Sequence, residues 1–326
     1  MSSVSVRRLS LGKIPIDILN STVLRLTGAK SDRVATPARA GLDFAAVRAG
    51  EGYVVVSADP VTGVSKGIGT YAMMVSANDV ATSGHRPQFA ESVILLPEGS
   101  TSPQVARIAR QIHEAAKRLE IAIVGGHTEV TPGLHHPIVI TTAFSYVGDY
   151  VTSGDAKPDD TILMTKTAGL EGSAVLTGSI GFLSQLSVVD EAVVAYGTGH
   201  VHAMHDCTEG GVLGAVFEMS LASRLGFELE ESRVPVAAET AELCQKWDID
   251  PLKLIGSGAL LLSVQKGREH DVMKALSPRR VSIVGTFKKS RRILVREDGA
   301  RETLREAPED ELWRVLVRTS GGRQGP

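Results

Sequence analysis

Three aspartates stand in sequence contexts that favour ligand binding over surface exposure. Asp43 lies in the apolar run GLDFAAV, Asp59 follows the strand-like run YVVVSA, and Asp79 lies in a helix-like stretch of small residues. A buried carboxylate is costly unless it meets a cation or several donors, and Mg²⁺ prefers such oxygens and shares its coordination with phosphates. We expect these aspartates to form one acidic cluster. Three unrelated turn or capping aspartates are the alternative interpretation.

A second focus lies in the C-terminal half. Asp206 precedes Thr208-Glu209-Gly210-Gly211, and the two glycines open an apolar helical pattern marked by Val212, Val216 and Met219. The N-terminus of a helix attracts anions, so this segment is suited to phosphate. An ordinary N-cap aspartate is an equally good structural explanation.

Two further segments could contact a nucleotide. Lys13 follows Gly12 on an N-terminal arm, where it is either solvated or folded over to neutralise phosphates. The run IAIV leads directly into GGHTEVTPG, which reads as a glycine loop carrying Gly125, Gly126, His127, Thr128 and Glu129. Paired glycines let backbone N–H groups approach a ligand, although they are also common in plain turns.

The cysteines and histidines indicate less. Cys207 adjoins Asp206, but a lone cysteine with apolar neighbours is commonly a small core residue. His200, His202 and His205 alternate along a strand-like run, and no cysteine or histidine pair elsewhere completes a zinc set. We therefore interpret these three histidines as ordinary strand-face residues.

The elements that must position these residues alternate between strand and helix. Gly67–Pro87 forms the central helical stretch and follows a strand that ends at Asp59, where open α/β structures bind ligands. The N-terminal half reads as β-α-β-α-β-β, which indicates an α/β or α+β layer fold. The polar segment SGDAKPDD marks a boundary near residues 155–158. Residues 8–28 are expected to include a helix over IDILNSTVLRLTG. We also expect TAGLEGSA to form a turn and EDELWRVLV to form a terminal helix.

Composition excludes several classes of protein. The chain has 326 residues, 43% of them hydrophobic, and a net charge of −2, with no basic run suited to nucleic acid. It has no apolar stretch near the roughly 20 residues needed to span a bilayer. The N-terminal segment has no apolar h-region, so we expect a cytosolic, cytoplasmic protein without membrane or nucleic-acid partners.

The chain resembles the aminoimidazole ribonucleotide synthetase-like (PurM-like) ATP-binding superfamily. Four motifs carry this resemblance in combination: LDFAAV, NDVATSGHRP, GGHTE and DCTEGG. The motifs occur in the right order from Lys13 to about Phe287, and no GxxxxGK[ST] is present, so this is not a P-loop protein. Within this superfamily the chain is most similar to the hydrogenase-maturation branch, whose enzyme is a carbamoyl dehydratase. This similarity lies in the runs LGKIP, NDVATSGHRP and DCTEGGVLGAVFEMSLAS.

The resemblance implies a two-domain fold, residues 1–155 forming an N-terminal ATP/Mg-binding unit that dimerises into a shared barrel and residues 156–326 a C-terminal α/β domain. It implies ATP and Mg²⁺ as cofactors and a homodimer that pairs through the first sheet. The long β-branched strand IVITTAFSYV favours the same pairing, because it would be hazardous as a free edge. By the same resemblance Lys13, Asp59 and Asp79 would be catalytic. The remaining implied roles are Mg²⁺ ligands at Asp43, Asp59, Asp79 and Asp206, and nucleotide contacts at Lys13, Asn78, Gly125, Gly126, Thr128, Glu129, Gly210 and Gly211.

The sequence also departs from that branch. Its enzymes end in a cysteine that carries the carbamoyl group, whereas this tail reads RTSGGRQGP, and His127 replaces the usual acidic residue of the GGDT loop. We therefore expect an ATP-dependent enzyme that phosphorylates or activates an oxygen of a diffusible small acceptor entering between the domains, and that is not itself carbamoylated. The alternative is a nucleotide-binding maturation partner protein without a small-molecule substrate of its own.

Overall fold

The structure is a computed structural model that describes residues 8–9, 11–62, 64, 66–179 and 181–320. Most of the tail whose chemistry the sequence analysis considers, residues 321–326, lies outside the described residues. No described helix combines the length and apolar character required to cross a membrane.

The N-terminal half builds a mixed sheet with helices on one side. Its strands pair in the order β1-β2-β3-β6-β4-β5, antiparallel throughout except for the parallel pair β4/β5. The predicted β-α-β-α-β-β order corresponds to β3 through β6, and two short strands precede it. The elements are α1 Ile16–Ser21, β1 Val34–Thr36, β2 Ala45–Ala49, β3 Gly52–Val61, α2 Ile68–Ala81, β4 Phe89–Leu96, α3 Ser102–Leu119, β5 Ala122–Val130 and β6 Ile138–Val147.

The C-terminal half is built on a second mixed sheet, with the strand order β13-β12-β9-β11-β7-β10-β8. Strands and helices therefore alternate in both halves, and the expected α/β (α+β) layer architecture is confirmed. The elements are β7 Thr161–Thr165, α4 Leu170–Thr177, α5 Val189–Gly197, β8 Val201–Asp206, α6 Gly211–Ser223, β9 Gly226–Glu230, α7 Ala238–Trp247, β10 Leu260–Val264, α8 Glu269–Leu276, β11 Val281–Lys288, β12 Arg292–Val295, β13 Arg301–Thr303 and α9 Glu311–Ser320.

Helix α2 joins the two halves. It starts after Gly67, whose φ of +77° is accessible to glycine at little cost, and every residue of the helix except Val75 is buried. Its small residues let it pack against α3, β3 and β6 while its other side reaches α5 and β8. One apolar cluster accordingly contains Met73 and Met74 of α2 together with Leu163 and Met204 of the second sheet. The central stretch of the sequence is thus the shared core element of the molecule.

Three local predictions are wrong. The expected helix over residues 16–28 stops at Ser21, where Ser21 and Thr22 hydroxyls donate to the Ile18 carbonyl, and only a short 3₁₀ turn, Val23–Arg25, follows. The expected turn TAGLEGSA contains the start of α4. The strand IVITTAFSYV, expected to need covering as a free edge, is β6 and lies inside the sheet between β3 and β4.

Candidate functional site

The structure brings the four predicted aspartates together between the two sheets. Asp43 lies just before β2, Asp59 in β3, Asp79 in α2 and Asp206 at the end of β8. The charges of Asp59, Asp206 and Asp43 all act on Asp79, and the Ser57 hydroxyl donates a hydrogen bond to Asp79 Oδ2 at 2.7 Å. Ligand atoms of Asp43 and Asp206 lie within 4.8 Å of each other. We call Asp43, Asp59, Asp79 and Asp206 the aspartate cluster.

Burial and repulsion by neighbouring charges favour the protonated forms of Asp79 and Asp206. The pKa of Asp79 is raised well above its ordinary value, first because the carboxyl is buried and then because Asp59 and Asp206 repel its charge. Burial and the charge of Asp43 raise the pKa of Asp206 to about 8. Such a site disfavours full ionisation until an external cation enters it.

His205 supplies one positive charge inside the site. Its Nδ1 contacts Asp43, its Nε2 lies 3.0 Å from Glu218 Oε2, and the Ser153 hydroxyl lies 3.2 Å from Nδ1. Although burial opposes protonation, Asp43 and Glu218 raise the pKa of His205 to about 10. In this arrangement both ring nitrogens contact carboxylates, and the raised pKa favours an imidazolium that acts as an internal cation. A ring nitrogen of His205 also lies within 4.8 Å of ligand atoms of Asp43 and Asp206, so the residue belongs to the group that could hold a metal ion.

Glu218 and Lys13 extend the same chain of charges toward solvent. Lys13 Nζ lies 3.0 Å from Glu218 Oε1 and 3.5 Å from the Thr208 hydroxyl, and half of the lysine side chain is exposed. Burial alone would raise the pKa of Glu218, but Lys13 and His205 lower it to about 2. Lys13 thus folds over the site, as one of its two predicted placements required, and its ammonium lies at the rim of the site.

Both ends of the described chain meet at the turn before α6. Glu209 Oε1 accepts hydrogen bonds from the Lys13 N–H at 2.7 Å and from Trp313 Nε1 at 3.0 Å. Asp310 Oδ2 accepts from the Gly210 N–H at 2.6 Å, and the Gly211 N–H donates to the Thr208 carbonyl. The backbone N–H groups of the two glycines are therefore occupied, and phosphate binding at Gly210 would require Asp310 to move.

The two glycines also have a packing role. Gly210 and Gly211 have φ values of +86° and +63°. A Cβ on Gly211 would lie 2.6 Å from the Leu252 carbonyl oxygen. Close backbone packing therefore accounts for this glycine pair without a ligand.

Asn78 does not join the aspartate cluster. Its Nδ2 donates to the Leu186 carbonyl at 2.8 Å, and its Oδ1 accepts from the Val188 N–H at 2.9 Å. Successive helix residues point about 100° apart, so Asn78 and Asp79 face different partners. The proposed role of Asn78 in nucleotide binding is not supported by this arrangement, because its amide holds the 186–188 segment against α2.

The predicted GGHTE loop is part of β5 and lies on the exposed edge of the first sheet. Gly125, Gly126, Thr128 and Glu129 pair with β4 in parallel and do not reach the aspartate cluster. A Cβ on Gly126, whose φ is +150°, would overlap the Ser92 carbonyl. Glu129 instead contacts His127 Nε2 at 3.1 Å and the Thr131 hydroxyl at 2.9 Å. The glycines here permit close strand pairing at an irregular register.

The other histidines and the cysteines have structural partners or surroundings. His202 contacts Asp160 at 2.9 Å, and His200 lies 3.8 Å from Asp271. Cys207 and Cys244 are buried, and burial raises the pKa of Cys207 well above its usual value and that of Cys244 to about 11. Neither thiol is an accessible thiolate.

The residues present fit a hard divalent cation. Asp206 Oδ2 is buried and has no hydrogen-bond partner among the described residues. Five carboxylates, those of the aspartate cluster and Glu218, face two cations, Lys13 and His205. An all-oxygen donor set with excess negative charge suits Mg²⁺. The sequence analysis missed His205 and Glu218, although a single acidic residue on an otherwise apolar helix was a usable signal.

Comparison with known proteins identifies both halves of the chain. Residues 41–147 match the N-terminal domain of AIR synthase related protein, and residues 157–297 match the C-terminal domain of AIR synthase related protein. Together the two matches cover more than two thirds of the chain.

Individual relatives are consistent with this match. The carbamoyl dehydratase HypE of Rhizobium leguminosarum bv. viciae is 27% identical over 73% of this chain and 73% of its own. A solved HypE–HypF complex has a TM-score of 0.75 and 20% identity, covering 89% of this chain and 99% of that one. A HypE structure in complex with ATP has a TM-score of 0.71 and 19% identity, covering 91% and 93%. At these identities the solved structures establish similarity of fold, and the expected two-domain PurM-like fold is confirmed.

Proposed function

Because this chain belongs to the AIR synthase related protein family, we propose that it is an enzyme that binds Mg-ATP at the aspartate cluster and uses it to phosphorylate or activate an oxygen of a small acceptor. The observation that carries the proposal is the convergence of four aspartates, from the segment before β2 and from β3, α2 and β8, with one buried carboxylate oxygen that has no partner among the described residues. Phosphoryl transfer depends mainly on positioning and charge neutralisation, which this set of residues is suited to provide.

Each charged residue receives a role in this proposal. Mg²⁺ would be held by Asp43, Asp59, Asp79 and Asp206, and it would supply neutralisation of the phosphate charge. Lys13 sits at the rim of the site on Glu218, within reach of a phosphate that displaces the carboxylate. Asp79, whose pKa is raised, would give up its proton when the cation binds. A relative crystallised with ATP supports the choice of nucleotide.

The test is calorimetric titration with ATP in the presence and absence of Mg²⁺. We expect binding only with Mg²⁺, and at least tenfold weaker binding in Asp79→Asn, because the amide keeps the shape but removes a charge at the ligand position. Asp160→Asn is the matched control, a buried aspartate that contacts His202 away from the site. Unchanged affinity in Asp79→Asn, or equal losses in both folded variants, would refute the assignment of Asp79.

The acceptor is proposed to be a diffusible molecule. The two thiols are buried, so neither is placed to carry a carbamoyl group. Incubation with a carbamoyltransferase system of hydrogenase maturation and carbamoyl phosphate, followed by intact-mass measurement, should leave the mass unchanged. A stable adduct on Cys207 or Cys244, of carbamoyl mass or of that mass less water, would contradict this expectation.

A partner-dependent function is the second candidate, because one relative of this fold was solved as a HypE–HypF complex. In that case ATP would control association with a maturation protein. Purified protein with Mg-ATP separates the two possibilities. Turnover stimulated by a small metabolite supports the enzyme, whereas tight ATP binding with hydrolysis only beside a partner protein supports the maturation role.

A further inference from the structure

A second charged site lies on the C-terminal half, at the other end of α6 from the aspartate cluster. It is an open cavity of about 460 Å³. The cavity has five basic residues and two apolar ones, Leu225 and Leu304, and no carboxylate lines it. Its basic residues are Arg224, Lys289, Arg291, Arg292 and Arg305. We call these five residues the basic cavity.

Unlike its neighbours, the basic cavity is not neutralised by the protein. Arg301 and Arg296, on adjoining strands, form ion pairs with Glu228 and Glu302. Within the described part of the chain, by contrast, none of the five cavity cations has a carboxylate within 4.0 Å. Concentrating five unpaired cations in a concave site is unfavourable in the absence of an anion. The arrangement is therefore one that a ligand would stabilise.

Part of this site is held rigidly. The Arg292 guanidinium lies 4.7 Å from the centre of the Phe217 ring, and its Nε donates to the Ser220 hydroxyl at 2.7 Å. Its two terminal nitrogens have no hydrogen-bond partner among the described residues. An arginine fixed by its Nε and its stacked face presents a planar pair of donors at low entropic cost.

The backbone around the cavity is fixed as well. Arg291 has a φ of +64°, and its carbonyl accepts from the Phe227 N–H at 2.9 Å. The chain can approach this closely because Gly226 has no side chain, since a Cβ there would overlap Ser290 and Arg291. The Leu304 N–H donates to the Arg292 carbonyl at 2.9 Å, which secures the opposite wall. The cavity is thus preorganised on both sides.

We propose that the basic cavity binds the phosphates of a small polyphosphate-bearing anion, at a site distinct from the aspartate cluster. Helix α6 has 13 residues and separates the two sites by about 20 Å. Arginine side chains match phosphate oxygens with paired donors, and the volume lies in the range of small-molecule sites. Five cations with no carboxylate among the lining residues favour this ligand over a neutral protein segment.

The experiment is calorimetric titration of the EDTA-treated full chain with inorganic tripolyphosphate. Without a divalent cation the aspartate cluster repels polyphosphate, so the heat reports on the basic cavity. We expect saturable binding of one anion per chain. The double variant Lys289→Gln/Arg305→Gln should bind at least about tenfold more weakly, because each cation lost removes a charge-assisted contact. Both residues are exposed and unpaired, and thermal unfolding will verify that the variant is folded.

The control variant removes two positive charges from a surface outside the basic cavity. Arg107→Gln/Arg110→Gln changes two exposed arginines on α3 and should alter the affinity by less than about twofold. No saturable binding, or equal weakening in both double variants, would overturn the proposal. So would oligoglutamate binding as tightly as tripolyphosphate with the same dependence on Lys289 and Arg305, because the ligand would then be an acidic protein segment.

Two further arms complete the test. Magnesium-free ATP that binds more tightly than tripolyphosphate would identify a nucleotide as the ligand, and equal binding would identify the phosphates alone. Asp79→Asn, which disables the proposed Mg-ATP site, should leave tripolyphosphate binding unchanged. The two proposals can therefore fail independently.

Discussion

Asp206 and Glu218 are buried acids of one site, yet their pKa values move in opposite directions. The pKa of Asp206 rises to about 8 through burial and the charge of Asp43. The pKa of Glu218 falls to about 2, because Lys13 and His205 outweigh the effect of burial. The charge of Glu218 is thus balanced by the chain itself, whereas the raised pKa values of Asp79 and Asp206 mean that metal binding would displace protons from them.

This difference predicts how stability depends on pH. The folded pKa of Asp206 exceeds its unfolded value of about 3.9, so the folded state binds more protons and the free energy of unfolding falls as pH rises toward 8. His205, raised to about 10, adds to the fall above its unfolded value of about 6.5. Glu218 has the opposite effect, because its lowered pKa stabilises the folded state at neutral pH. This contribution to the free energy of unfolding is lost as pH falls below about 4.5.

In EDTA, the unfolding midpoint should therefore decrease between pH 6.5 and 8. Mg²⁺ should raise the midpoint more at pH 8 than at pH 6.5, because fewer protons remain to be displaced. Differential scanning fluorimetry measures both effects, with Asp79→Asn as the variant in which the Mg²⁺ shift is reduced. A Mg²⁺ shift that is the same at both pH values would contradict this interpretation.

The aspartates could be predicted individually because each has a local signature, an apolar flank or a position at the end of a strand. Their neighbours His205 and Glu218 could not, since the contact between them depends on how β8 and α6 pack. The alternation in HVHAMHD suggested only strand-face histidines. That interpretation suits His202, but His205 lies on the face that meets Asp43 and Glu218.

At the scale of the element, α2 carries two adjacent polar residues with separate tasks. Asp79 faces the aspartate cluster, and Asn78 joins α2 to the segment 186–188 of the C-terminal half. We predict that Asn78→Ala lowers the free energy of unfolding by about 2–4 kcal/mol, because a buried carbonyl and a buried N–H both lose their partner.

The same variant should change Mg-ATP affinity less than about threefold. Asp79→Asn should show the reverse pattern, a large loss of affinity with a small change in stability. Urea unfolding and calorimetry on both variants provide the comparison. If Asn78→Ala abolished binding in protein that remains folded, Asn78 would contact the nucleotide after all.

The sequence predicted long periodic elements well and glycine-rich segments poorly. Strands such as β6 and helices such as α3 have unambiguous patterns, and both occur as expected. The GGHTE segment was predicted as a loop because paired glycines are typical of turns. Its strand conformation arises from parallel pairing with β4, more than 25 residues earlier in the chain, and such pairing leaves no local signal.

On the scale of the whole molecule, the two halves are connected by a single core through α2, but the first sheet ends in an unprotected strand. All nine residues of β5 are exposed, and Ile123, Val124 and Val130 are 43%, 54% and 55% exposed. Long apolar edge strands are normally covered, since they otherwise pair with other chains. The sequence indicates β6 as the strand that needs covering, but β6 lies inside the sheet, and the exposed edge is β5.

We therefore predict a homodimer that pairs through the sheet edge at β5 and brings the GGHTE residues to the interface. Light scattering at micromolar concentration should give twice the chain mass of 34.5 kDa. Val124→Lys should shift this mass toward that of the monomer, because the pairing would then bury a lysine from each chain. Val34→Lys, a matched substitution on the opposite edge strand β1, should leave the mass unchanged. A monomeric wild-type chain, or dissociation in both variants alike, would show that β5 is not the dimer interface.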